Sequence, residues 1–238
     1  SQRRLATLLG ASEGLAEFFR RHPDQWAFTR TPPVPPAERT ELIARLRAAV
    51  TDSVDAPRDL RVAYRTELAR IALWDITRDQ PIDAVEEVAR ALAALADAVI
   101  EVGLSIARAD LSVAEDDVPF AVIAMGKAGA RELNYVSDVD VIYVTEVPEG
   151  ANPDVVVTQA TALAQKLQQV IMEFGLEPGL WEVDANLRPE GKDGALVRTL
   201  DSHVAYYERW AKDWEFQALL KSRPMAGTVS LGRAYRER

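Results

Sequence analysis

Two aspartates one residue apart, Asp138 and Asp140, sit at the head of the β-branched run Val139–Thr145. On a strand, side chains alternate between faces, so the two carboxylates project from the same side. Held that close they repel each other, and each disfavours ionisation of the other unless a cation sits between them. Hard oxygen ligands of this type suit Mg²⁺ or Mn²⁺, with substrate phosphates and water completing the coordination shell. Met125-Gly126-Lys127 ends ten residues before Asp138 and closes an earlier apolar run. Glycine at 126 lets backbone approach a ligand closely, and Gly129 offers the same freedom three residues later. A helix starting there would turn its free N–H groups and Lys127 toward phosphate oxygens. Ser137 could orient the first aspartate or donate to a phosphate. A third acid is needed to fix two metals, and Asp184 is the candidate. A D-x-D pair alone is weak, because most such pairs are solvated strand edges. The conjunction of a strand, Gly-Lys, a spaced D-x-D and a third acid favours a metal-dependent phosphate chemistry.

These residues need strands and helices to hold them. Pro119–Met125, Val139–Thr145 and Leu180–Leu187 read as three strands. Residues 1–110 read as helical. Ser12 is a plausible cap for Glu13–Arg21, and Thr31-Pro32-Pro33-Val34-Pro35-Pro36 forms a stiff surface connection. A helix resumes near Glu38, and another carries Leu60, Tyr64, Leu68 and Ile71. From Pro81, the stripe Val85, Val88, Leu92, Leu95, Val99, Val102 and Ile106 predicts a helix packed in a bundle. Ala160–Phe174 is a helix stopped by Gly175. From Asp201, Tyr207, Trp210, Trp214 and Ala218 mark a further helix whose aromatics, at helical spacing, are expected in the core rather than in a base-stacking platform. His203 is expected at the surface or as a cap, Arg20-Arg21-His22 as a solvated helix end, and Arg131 with Glu132 as a structural pair.

Composition bounds the rest. With 48% hydrophobic and 27% charged residues, the 238-residue chain is an ordinary globular protein able to bury a sizeable core. A net charge of −9 disfavours a nucleic-acid binder, although a local phosphate site is compatible with it. The chain has no cysteine, which removes disulfides and thiolate metal sites, and two separated histidines give no zinc-type spacing. No signal peptide or membrane-spanning run is found, so the expected compartment is the cytoplasm and no membrane partner is expected. The termini, Ser1 and Arg238, suggest a fragment of a longer chain.

Gly126-Lys127, ten residues and Asp138-Val139-Asp140 fit the general pattern of polymerase-β-like nucleotidyltransferases. The longer string Met125-Gly126-Lys127-Ala128-Gly129-Ala130-Arg131-Glu132-Leu133-Asn134-Tyr135-Val136-Ser137-Asp138-Val139-Asp140 closely resembles the bifunctional glutamine synthetase adenylyltransferase/adenylyl-removing enzyme family. Val183–Gly191 resembles that family's second signature, Trp214–Lys221 the start of its following helical region, and Leu9–Ser12 with His22-Pro23 its helical lead-in. The resemblance therefore spans nearly the whole chain. One departure is Ala130, where the family commonly has a second glycine, which suggests a slightly altered loop.

The resemblance implies an α+β fold: a polymerase-β-like nucleotidyltransferase core with a small mixed sheet over residues 116–200, a helical N-terminal region over 1–115, and the start of a following helical region over 201–238. It also implies that the chain is one unit of a tandem. In that family the N-terminal unit removes AMP from a tyrosine of glutamine synthetase by phosphorolysis, giving ADP, and the C-terminal unit adds AMP from ATP. Arg131–Tyr135 and Trp214–Phe216 look more like the removing copy of actinobacterial members. Asp138, Asp140 and Asp184 would then be the metal-binding and catalytic carboxylates. Gly126, Lys127, Ser137, Arg188 and Lys192 would hold phosphate or nucleotide. Adenylylated glutamine synthetase and phosphate or ADP would be its partners, with a PII signalling protein acting on the full-length enzyme. The alternatives are the AMP-adding unit of the same enzyme, a non-catalytic module that binds glutamine synthetase or PII, and another small-molecule nucleotidyltransferase.

Overall fold

Wherever apolar residues recur at steps of three and four behind a capping side chain, a helix forms. The computed structural model describes residues 2–238. It opens with α1 (Gln2–Ala11) and α2 (Glu13–Arg21), the latter capped by Ser12, whose side chain accepts from Leu15 N–H. A 3₁₀ segment (Pro23–Arg30) leads into the proline-rich connection, and α3 (Arg39–Val50) follows. Asp55 caps α4 (Ala56–Ile76) by accepting from Arg58 N–H. Pro81 opens a 3₁₀ turn (Pro81–Ala84) rather than the helix itself, and α5 (Val85–Leu111) starts behind it.

The predicted stripe on α5 is buried from Val88 to Ile106, while Val85 in the first turn stays exposed. Alanines at 91, 93, 96 and 98 are buried as well, so α5 is apolar on more than one face. That is what a central helix requires: α5 packs against α3 and α4, and against α7 (Pro153–Met172) and the sheet. One buried cluster runs from Leu42 through α5 to Val141 and Ile171, crossing the boundary expected near residues 115 and 116.

The sheet is mixed and small, and helices cover it. Antiparallel β1 (Phe120–Ala124) and β2 (Val139–Thr145) form its centre, joined by the short α6 (Gly126–Ala130). Parallel to β2 run β3 (Val183–Asp184) beside its start and β4 (Val197–Thr199) beside its end. On the far side β5 (Arg223–Gly227) pairs antiparallel with β1. After β4 come α8 (Leu200–Arg209) and α9 (Asp213–Leu219), and α10 (Val229–Glu237) follows β5. This is the expected α+β architecture. Among the described residues no helix is long and apolar enough to cross a membrane.

Several sequence expectations need correction. The third strand shrinks from Leu180–Leu187 to Val183–Asp184. The single helix expected from Asp201 is two, broken at Trp210–Lys212, and the break swings Trp210 and Trp214 out of the core, leaving them 73% and 51% exposed. His203 is buried beneath Tyr235, and burial pushes its imidazole down to about 4, so it is neutral at pH 7. Glu132 pairs with Lys221 rather than Arg131.

Arg21 and His22 are not a solvated helix end. Both reach Glu177, a buried carboxylate in the loop after α7: Arg21 Nη2 at 3.2 Å, His22 Nε2 at 2.8 Å, with Arg65 Nη1 of α4 at 3.0 Å. Burial by itself would push the Glu177 carboxyl up. Hydrogen bonds from His22 and Arg21 and the charges of Arg65 and Arg21 outweigh it and hold the carboxyl below its ordinary 4.5. Since the folded value lies below the unfolded one, this contribution is complete above about pH 4.5 and disappears as the pH falls through the folded value. Glu177→Ala is expected to cost about 1–3 kcal/mol at pH 7, because it removes the anion shared by Arg21 and by the partly buried His22 and Arg65. Urea unfolding at pH 7 and at about pH 3.5 checks both points: the variant's deficit shrinks at the lower pH.

Candidate active site

Three strand ends bring the acids together. Met125 N–H donates to the Asp140 carbonyl at 2.9 Å, which ties the end of β1 to the start of β2. Val139 N–H donates to the Glu182 carbonyl at 2.9 Å, and Asp140 is the register partner of Asp184 across the parallel β2–β3 pair. In-register neighbours on a sheet project to the same face, so β3 needs only two residues to deliver its acid. Asp138, Asp140 and Asp184 each offer one carboxylate oxygen, and these oxygens all lie within 4.8 Å of one another. Asn186 N–H donates to Asp184 Oδ1 at 2.7 Å and fixes that side chain's direction.

Asp140 lies where its charge is disfavoured. Burial pushes its carboxyl up, the charges of Asp138 and Asp184 push it further, and Lys127 opposes them. Its folded value therefore exceeds the unfolded 3.8, and the folded state takes up the proton first as the pH falls. Without a cation, stability declines as the pH rises through that window and does not return at higher pH. Metal-free Asp140→Asn is thus expected to be at least as stable as the wild type at pH 7, as urea titrations in chelator would reveal.

The loop before β2 closes over the acids. Gly126 has φ +50, a left-handed backbone, and a Cβ there would overlap Asp140 Oδ2. Glycine at 126 is required on both counts. Gly129 is required for a different reason from the one its sequence suggested: the Lys221 carbonyl, not a ligand, occupies the space of its missing Cβ. Ala130 ends α6 in ordinary helical conformation, and the left-handed position falls one residue later, at Arg131 (φ 60, ψ 39). Lys127 Nζ stands 3.4 Å from Ser137 Oγ, which in turn is 3.4 Å from Asp138 Oδ1. These three residues line one side of an open cleft of about 630 Å³, whose other walls are Tyr64 and Arg65 from α4 and Trp181 ahead of β3.

The remaining two predicted residues lie beyond β3. Arg188 spends its guanidinium on the carbonyls of Ala185, Lys192 and Gly194, at 2.9, 3.0 and 3.1 Å. It folds the loop after Asp184 rather than pointing a free charge outward. Lys192 is exposed in the 3₁₀ turn Gly191–Asp193 of the same loop.

Sequence reasoning missed the groups that brace this frame. Arg223 on β5 donates to the carbonyls of Ala128 and Gly129 and makes a two-pronged pair with buried Asp97 of α5, at 2.6 and 2.8 Å. It locks α6 to the central helix. Tyr206 on α8 donates to Glu215 of α9 at 2.9 Å and accepts from Glu190 N–H, tying both helices to the loop after β3. A lone arginine before a proline and a tyrosine in a mostly polar helix carry no motif that would have flagged them.

A small mixed sheet with paired acids at the start of one strand, a third acid on its parallel neighbour and a Gly-Lys turn facing them defines an α+β nucleotidyltransferase domain. The chain belongs to the glutamate-ammonia ligase adenylyltransferase family, whose pattern matches residues 2–238. It is 50% identical over 98% of its length to the bifunctional glutamine synthetase adenylyltransferase/adenylyl-removing enzyme of Leifsonia xyli. The proteins of the same name from Streptomyces avermitilis and Cutibacterium acnes are 47% and 45% identical, again over 98% of this chain. The chain spans about a quarter of the length of these relatives, 25%, 23% and 25% respectively.

Proposed function

We propose that this chain is the adenylyl-removing unit of such an enzyme: it transfers AMP from a tyrosine of adenylylated glutamine synthetase to inorganic phosphate, giving ADP and free tyrosine. The convergence of three carboxylate oxygens within 4.8 Å beside Gly126 and Lys127, in a chain of this family, carries the nucleotidyl-transfer chemistry, and the removing direction rests on the likeness of Arg131–Tyr135 and Trp214–Phe216 to the removing copy. Three ionised acids at that spacing are costly without a counter-charge, as the raised Asp140 carboxyl reflects, and their hard oxygens suit Mg²⁺ or Mn²⁺. Asp138, Asp140 and Asp184 would hold such a divalent cation, which when bound would neutralise charge on the phosphoryl oxygens and so make the phosphorus more electrophilic.

The chain's own residues do the positioning. Lys127 and Ser137, on the cleft wall beside Asp138, hold the oxygens of the incoming phosphate, with exposed Lys192 as a further cation. Gly126 keeps the approach to Asp140 open. Arg188 acts through the loop: by clamping three carbonyls it fixes the segment that leaves Asp184. A phosphate oxygen attacks the α-phosphorus in line, the bond from phosphorus to the tyrosine oxygen breaks, and the phenolate departs with the electron pair. Its conjugate acid has a pKa of roughly 10, so it leaves with little acid assistance. Most of the rate enhancement then comes from positioning and charge neutralisation.

Two tests bear on this reading. Millimolar Mg²⁺ is expected to raise the melting temperature of the wild type and not of Asp140→Asn, since a ligand that binds only the folded state stabilises it. The purified chain, given AMP-modified glutamine synthetase, Mg²⁺ and phosphate, is expected to release ADP only when phosphate is present. If ATP and unmodified glutamine synthetase instead yield AMP-tyrosine, the unit runs in the adding direction and the proposal fails.

A further inference from the structure

Outside the carboxylate site, a second concave surface gathers cations in a protein whose net charge is −9. A pocket of about 430 Å³ beside β5 is lined by five arginines, Arg39, Arg131, Arg223, Arg233 and Arg236, against two acids, Asp97 and Glu101. Arg223 is consumed by Asp97 and by the carbonyls of α6, and forms the floor. Arg39 reaches Glu101 only at 3.6 Å and Asp97 at 3.9 Å, while donating to the Met225 carbonyl at 2.9 Å. Among the described residues, Arg131, Arg233 and Arg236 have neither an ion pair nor a side-chain hydrogen bond, and all three are exposed. A second hollow of about 360 Å³ shares Arg39, Asp97 and Arg131 with the first but adds Glu38 and Glu87 beside Arg90, so the excess of positive charge is confined to the first pocket.

Like charges collected in a concavity raise the local potential and draw counter-ions to it. Guanidinium groups, planar and always charged, match the paired oxygens of carboxylates, phosphates and sulfates. Arg131 is brought to the pocket by the end of α6: it takes the left-handed position of that helix's C-terminus, with its N–H donating to the Ala128 carbonyl at 3.2 Å.

We propose that this pocket is a binding site for a small multivalent oxyanion, either a phosphate-type group or a dicarboxylate, held by Arg39, Arg131, Arg233 and Arg236. It is separate from the three-carboxylate site and does not depend on the reaction proposed above. It adjoins that site through α6: Arg131 terminates the short helix that begins with Gly126 and Lys127, and Arg223 grips two of its carbonyls.

The test is calorimetric titration of the 238-residue chain at low ionic strength, in chelator, with sodium sulfate and separately with sodium succinate. Sodium chloride at matched ionic strength is the reference. Saturable binding of at least one dianion is expected. It should weaken at least tenfold in Arg131→Gly, which the left-handed backbone accepts, and in the double variant Arg233→Ala/Arg236→Ala, whose side chains hold nothing else in place. Lys127→Ala should bind the dianion within about twofold of the wild type. Tighter sulfate binding would assign a phosphate-type ligand, and tighter succinate binding a dicarboxylate. The proposal is overturned if neither dianion binds better than chloride, or if Lys127→Ala abolishes binding that the arginine variants retain. Unchanged melting curves for the variants show that a loss of binding is not a loss of fold.

Discussion

Asp140→Asn is expected to lower phosphate-dependent ADP release at least about a thousandfold, close to 4 kcal/mol of transition-state stabilisation, while leaving the protein folded. Asparagine keeps the shape of the side chain and removes its charge. Asp140 is the acid best placed to show the difference: it lies second in β2, pairs in register with Asp184, and feels both neighbouring carboxylates. The substitution relieves the repulsion among the three acids, so the metal-free fold does not suffer. A loss of rate accompanied by a loss of stability would point to a structural role instead. Single-turnover assays on protein with a wild-type melting curve separate the two, and wild-type-like turnover by the variant would remove the site assignment altogether.

Gly126→Ala is the second large effect. Alanine in a left-handed backbone costs about 1–2 kcal/mol, so thermal stability should fall by that order. The added methyl group also overlaps Asp140 Oδ2, and the carboxylate has to move. A displacement of about 1 Å at a reacting centre can cost roughly a hundredfold in rate, and a loss of that size is expected here. Gly129→Ala provides the contrast. Its clash is with the Lys221 carbonyl, so its first effect is on the junction between α6 and the segment after α9. Measuring rate and melting temperature together should show Gly126→Ala losing proportionally more activity than stability.

The centre of the site was legible because its elements are strongly patterned. Val139–Thr145 is rich in β-branched residues and forms that strand, and Asp138 just before it and Asp140 within it bring carboxylate oxygens within 4.8 Å of each other. Asp184 was found from its chemistry, although its strand keeps only two residues: one parallel pairing with β2 suffices to place it. Elements set by tertiary context were not legible. Pro224 and Gly227 disguise β5, which tolerates a proline because it lies at the sheet edge with an irregular register. Trp210 and Trp214 kept helical spacing across a break that local sequence did not signal, and the core assignment failed with it. Glu177 and Asp97 are buried acids whose cations come from distant helices and strands, and no spacing rule connects residues more than a hundred positions apart. The brace that holds the site was therefore much harder to read than the site.

The most direct test of the metal assignment is anomalous diffraction from crystals of this chain soaked in Mn²⁺ with ADP. An anomalous peak among the carboxylates of Asp138, Asp140 and Asp184, lost in Asp140→Asn crystals treated alike, is the predicted result. Mn²⁺ bound elsewhere while these three acids stay free would contradict the account.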